Sequence, residues 1–128
     1  MANTISSGVC GTRRTRRVVR TVDTTGITLT AEELAGEVIV VNTGASAEVV
    51  IALPAAKRGM KVHAQCLAAQ EIRLDPNGTE TIALPSTGAQ SAAGAYITAN
   101  AVGEWVTLIC LVDGTWDVAG YNGTWTAV

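Results

Sequence analysis

The residues whose types could do chemistry are few and lie far apart in this 128-residue chain. His63 is the only histidine, so a multi-histidine zinc site cannot be built from one chain, and in Lys61-Val62-His63-Ala64-Gln65 it reads as a surface or interface strand residue rather than a catalytic one. Cys10, Cys66 and Cys110 show no C-x-x-C spacing, which argues against zinc and against a dithiol redox pair. Asp113 and Asp117 resemble the carboxylate pair of a glycoside hydrolase only in number; Asp113-Gly114 reads as a turn and Asp117 as a strand-edge residue. Asp75-Pro76-Asn77-Gly78 with Glu80 has the acidity of a calcium loop, but Pro76 and Gly78 offer no side-chain oxygen where alternate ligands are needed. No glycine-rich phosphate cradle is present. The chain therefore reads as a non-enzyme, with no cofactor and no metal. The Asn-x-Thr triplets at Asn77 and Asn122 read as Asn-Gly turns.

One cluster has binding content. Arg13, Arg14, Arg16, Arg17 and Arg20 fall within eight residues, and no carboxylate precedes Asp23. All 11 carboxylates follow, against Lys57, Arg58, Lys61 and Arg73, so a basic arm of about +5 joins a body of about −7. Guanidinium groups pair with phosphates or, in bidentate fashion, with carboxylates. The arm has no aromatic residue for stacking on bases and the body would repel a polyanion, so nucleic acid is the weaker partner and an acidic protein surface the stronger. The bland alternative is a solvated tail.

These residues must be positioned by strands. Gly, Ala, Thr and Val dominate, charged residues make up 16%, and the large aromatics Tyr96, Trp105, Trp116, Tyr121 and Trp125 all lie in the last third. Residues 104–120 organise the rest: Asp113-Gly114 separates two apolar runs and predicts a tight hairpin. In the first run Val106, Leu108, Cys110 and Val112 alternate with Trp105, Thr107, Ile109 and Leu111, so both faces are largely apolar and both require cover. Trp105, Ile109, Leu111, Trp116 and Trp125 are thus expected in the core or a subunit interface; Trp125 has the further option of stacking on a sugar. Cys66 and Cys110 read as buried, reduced thiols.

Before this hairpin, alternation predicts strands near 27–30, 37–42, 48–53, 61–67, 71–74, 81–84 and 96–98, with one helical turn at 31–36 capped by Thr30. Residues 86–95, nearly all small and polar, predict a mobile loop. The expected fold is all-β: an antiparallel β-sandwich or barrel-like domain of about 8–10 short strands. Residues 1–22 form an extended arm in this reading and 23–128 the body. No apolar run approaches the ~18 residues of a membrane helix and no signal peptide is evident. These features predict a chain made in, and soluble in, a reducing cytoplasm.

Several strings resemble the head decoration, or cement, proteins of tailed bacteriophages and related phage fibre-like modules. They are Val38-Ile39-Val40-Val41-Asn42-Thr43-Gly44, Ala52-Leu53-Pro54-Ala55-Ala56, Ile72-Arg73-Leu74-Asp75-Pro76-Asn77-Gly78-Thr79-Glu80-Thr81-Ile82, Gly103-Glu104-Trp105-Val106-Thr107-Leu108, Asp113-Gly114-Thr115-Trp116-Asp117-Val118 and Gly123-Thr124-Trp125. The resemblance spans about residues 27–126 and leaves the arm uncovered. It implies a structural virion protein, made in the host cytoplasm, that sits on the capsid exterior as a homotrimer. Its partner would be the major capsid protein, with the five arginines docked on acidic capsid surface. The alternative it implies is a head or tail fibre module that binds a host receptor or glycan through Trp125, Tyr121 and the 86–95 loop.

Overall fold

The computed structural model describes residues 17–24 and 26–128, with Arg17 described through its backbone alone. Eleven strands and one short helix follow in chain order: β1 (Arg17–Thr21), β2 (Gly26–Thr28), α1 (Ala31–Ala35), β3 (Glu37–Val41), β4 (Val49–Ala52), β5 (Lys61–Gln65), β6 (Ile72–Asp75), β7 (Thr81–Ile82), β8 (Ile97–Ala99), β9 (Trp105–Ile109), β10 (Thr115–Asn122) and β11 (Thr126–Ala127). Strand formation follows from alternation: β5 and β9 each bury every second residue, and the β-branched or apolar inward set is Val62 and Ala64 on β5, Val106 and Leu108 on β9.

The strands form a six-stranded sheet, ordered β1-β3-β5-β9-β10-β7, and a five-stranded sheet, ordered β11-β8-β6-β4-β2. The expected antiparallel pattern does not hold; both sheets are mixed. The pairs β1–β3, β3–β5 and β7–β10 are parallel in the first sheet, and β2–β4 and β4–β6 in the second. The reason is the route of the chain. The chain alternates between the sheets as far as β9, and through β6 each return to a sheet runs in the same direction as the last. The loop 43–47 had the composition of a hairpin turn, but it carries the chain from β3 in one sheet to β4 in the other. Only the later strands reverse: β9 pairs antiparallel with β5 and β10, and β8 with β6 and β11.

The inward side chains of both sheets meet in one core cluster that includes Val38, Val62, Leu108 and Trp116 from the first and Ile51, Ile72, Leu74 and Ile97 from the second. Burial of each such aliphatic side chain contributes roughly 1.5–3 kcal/mol. Helix α1 closes one margin with Leu34, and its capping box is complete. The Thr30 hydroxyl accepts from Glu33 N at 3.2 Å while Glu33 Oε1 accepts from Thr30 N at 2.9 Å.

Asn42 is the one buried polar side chain among the described residues. It stands where the chain leaves β3 and organises the loop after β5. Its Oδ1 accepts from Leu67 N at 2.7 Å and Ala68 N at 2.9 Å, and its Nδ2 donates to Ala68 O at 3.3 Å and Gln70 O at 3.2 Å. Both ends of the amide are saturated, so burial carries little penalty. Asn42→Ala would strand Leu67 N and Ala68 N, while Ala68 O keeps Gln70 N as a donor and both carbonyls keep the Cys66 thiol. Equilibrium urea unfolding should show a loss of about 2 kcal/mol or more, at roughly 1–3 kcal/mol for each N–H left unpaired. A loss below about 1 kcal/mol would mean that water replaces the amide and that the corner does not depend on it.

Candidate functional site

The outer face of the six-stranded sheet carries the residues that neither the core nor the loops consume. Register aligns Val19, Ile39, His63 and Thr107 across β1, β3, β5 and β9, and Gln65 with Trp105 in the next outward row. The His63 and Trp105 rings stack with centroids 5.3 Å apart. His63 Nδ1 lies 2.8 Å from Thr107 Oγ1 and Nε2 3.2 Å from Gln65 Oε1. The ring is therefore held at both nitrogens while its face supports the indole. On the other side Trp105 covers Gly120, where a Cβ would sit 3.3 Å from Cη2. The β9–β10 ladder shifts register between Val118 and Gly120, which places Gly120 opposite Thr107 on this face. Ile39, His63, Trp105 and Ile109 are half-buried, and among the described residues no strand or helix packs above them.

The expected site residues separate into distinct places. Arg13, Arg14 and Arg16 lie outside the described residues, as does Cys10. Residues 17–21, expected within the arm, are strand β1 of the sheet. Arg20 is bound to the body, since its Nη1 donates to Glu33 Oε2 at 2.8 Å. Trp105 and Ile109 occupy the outer face. Leu111 lies beyond β9 and is 55% exposed, because pairing with β10 begins only at Ile109–Asp117. The hairpin is thus wider than a two-residue turn, although Gly114 has the positive φ, 90°, that the turn demands. Trp116 is 0% and Trp125 4% exposed. The Trp125 indole N–H donates to Trp105 O at 3.1 Å, so this ring is core and no platform for a sugar. The Trp116 indole N–H is buried with no acceptor among the described residues.

Other residues with chemical potential are also structural. Asp113 Oδ1 accepts from Arg58 N at 2.8 Å, and Glu80 takes Ala56 N on both oxygens. Burial pushes the Cys66 and Cys110 thiols up, away from the reactive thiolate. Residues 86–95 are tied down rather than loose: Ser91 N donates to Ile82 O at 2.9 Å and Gln90 Nε2 to Trp116 O at 3.2 Å. The histidine–tryptophan stack went unread in the sequence, though His63 and Trp105 both sit at outward positions of alternating strands.

A polar groove of about 320 Å³ lies at the end of β8 and β11, lined by Glu71, Thr98, Asn100, Glu104, Thr124 and Thr126. An Arg73 hydrogen bond, aided by the Thr98 hydroxyl, holds the Glu71 carboxyl below the usual range. Burial pushes Glu104 up, but backbone N–H donation from Thr124, Ala101 and Asn100 outweighs it and leaves the carboxyl lowered. Among the described residues no group of histidines, cysteines and carboxylates is arranged to hold a metal, and no helix is long and apolar enough to cross a membrane. No family model matches the chain, and no curated protein matches it.

The lowered Glu104 carboxyl makes a signed prediction. Its contribution to stability is complete above the ordinary carboxylate value near 4.5 and is lost as pH falls through its lower folded value. Glu104→Gln should therefore cost about 1–2 kcal/mol in unfolding experiments near neutral pH, and the gap to the parent should close in acid. A gap of the same size at every pH would remove the ionised carboxylate from this role.

Proposed function

We propose that this chain is a structural virion protein, a capsid decoration or cement protein of a tailed bacteriophage. It binds the outside of the capsid as a homotrimer and stabilises contacts between capsomers. The observation that carries the reading is the outer face of the six-stranded sheet. A water-facing sheet alternates apolar-in with polar-out, whereas here Val19 and Ile39 stand outward on β1 and β3, and Trp105 and Ile109 stand outward on β9 across β5, with the His63 ring between them stacked on Trp105. Cover from neighbouring subunits meets that requirement. The finer architecture in this reading is a β-sandwich, supported by a core drawn from both sheets, with an extended basic arm ahead of it.

The resemblance to decoration proteins supplies the partner, the major capsid protein, and the charge pattern supplies the means. Arg13, Arg14 and Arg16 precede the body in the sequence, and guanidiniums on an acidic capsid surface gain bidentate hydrogen bonds. Three linked contacts raise the effective concentration of each, so a trimer holds where one weak arm would not. The protein acts without catalysis, at the capsid exterior, after synthesis in the host cytoplasm. Nucleic acid and membrane play no part in it.

A second reading, a head or tail fibre module that binds a host glycan, draws on the groove at Thr124 and Thr126. Hydroxyls and an amide converge there beside two carboxylates. It replaces the expected platform of Trp125, which the core consumes.

Co-sedimentation with capsids of the encoding phage that lack this protein tests the proposal. The full chain should bind at low salt and release as ionic strength rises. An Arg13→Ala/Arg14→Ala/Arg16→Ala variant should bind about tenfold more weakly, the sum of three surface ion pairs near 0.5 kcal/mol each. Failure of the parent chain to sediment with capsids, together with retention on a glycan surface, would transfer the function to the fibre reading.

A further inference from the structure

Among the described residues four strand edges are unpaired, and they are unequal. At one end of the stack β7 and β11 span two residues each. There the chain beyond β7 is further tied by the bridge between Ala83 and Gln90. At the other end β2 is three residues long and β1 is five. Proteins blunt such edges with short strands, bulges, prolines or unpaired charge, because a long open edge templates another strand. Strand β1 has none of these protections among its described side chains. Its one described charge, Arg20, is taken up by Glu33 at 2.8 Å. Val18 and Val19, which point to opposite faces, are 46% and 61% exposed.

The backbone polarity of the edge is set by its inner pairing. Val22 N donates to Val41 O at 2.8 Å, so the groups of Val18, Arg20 and Val22 turn toward β3 and those of Arg17, Val19 and Thr21 turn away from it. The outward set can exchange paired hydrogen bonds with an antiparallel strand.

Charge selects which strand. The arginines 13, 14 and 16 come just before β1 in the sequence, and Asp23 comes just after it. Asp23 and Glu32 are exposed carboxylates with no partner among the described residues. A parallel neighbour with this sequence would set basic heads beside basic heads. An antiparallel one sets each basic head beside an acidic tail. Centred on Val19, that register pairs Val19 with Val19 and Arg17 with Thr21, and puts no two arginines opposite one another.

We propose that β1 is a two-fold self-pairing edge: a second copy of this chain adds its own β1 antiparallel to it, joining two six-stranded sheets into one. The contact is isologous, as a two-fold requires, and it is made by the backbone of the edge, whereas the Val19 side chain stands on the sheet's outer face. Val19 is the residue on the axis. Its N–H points away from β3, so proline there removes the donor at the centre of the new ladder and spares the old one.

Light scattering on the full chain and on Val19→Pro, with circular dichroism to follow folding, tests this. The parent should have twice the mass of the variant at tens of micromolar protein. Equal masses from two folded proteins overturn the proposal. Should Val19→Pro not fold, Asp23→Arg/Glu32→Arg decides: a halved mass at low salt supports the self-pairing edge, and an unchanged mass overturns it.

Discussion

Each time the chain leaves one sheet for the other, backbone N–H and C=O groups reach the margin of the core where no neighbouring strand can pair them, and each needs a partner. Asn42 meets this constraint where the demand is greatest, satisfying four such groups from a fully buried position. Elsewhere carboxylates do the same work at the surface. Glu33 caps α1, Glu80 holds Ala56 N, and Glu104 gathers Asn100, Ala101 and Thr124. A winding path through two sheets is stable here because side chains stand in for the ladder bonds that its corners forgo.

That use of carboxylates changes the meaning of the acidic body. Its excess negative charge suggests a surface that attracts cations, yet several of those charges are internal fixtures of loops. Glu71 is bound to Arg73 and Thr98, and Asp113 to Arg58. Among the described residues Asp23 and Glu32 are exposed and bound to no loop. A sum over the sequence overstates the acidic surface and conceals its position.

Strand positions were legible in the sequence because alternation of side chains is a local property. The helical turn was legible for the same reason: Thr30 and Glu33 lie within one turn, and the cap they form needs nothing distant. Strand direction was not. A loop such as 43–47 has the same Gly-rich, small-residue composition whether it folds a hairpin or carries the chain to another sheet. A faint signal existed. Strands β2, β4 and β6 begin at Gly26, Val49 and Ile72, each 23 residues after the last, and a regular interval of that length marks a stacked winding. The side chains that stack at the corner are Asn42 and Cys66, joined at 3.7 Å. They share no chemistry that a sequence comparison would match.

The tryptophans show where local reading ends. Trp105 and Trp116 belong to adjacent antiparallel strands, yet one ring lies half-buried on the outer face and the other is enclosed. The difference is which side of the sheet each position faces, and the register shift near Val118 decides what Trp105 covers. With Gly120 beneath its edge and His63 against its face, Trp105 fills a hollow that no local residue would otherwise fill. The result is a smooth, partly apolar sheet face. Beside it, in the plane of the same sheet, runs the edge of β1, unpaired among the described residues. A face offers area and an edge offers hydrogen bonds, and their directions are perpendicular. The two meet at Val19, whose side chain stands on the face and whose N–H lies on the edge.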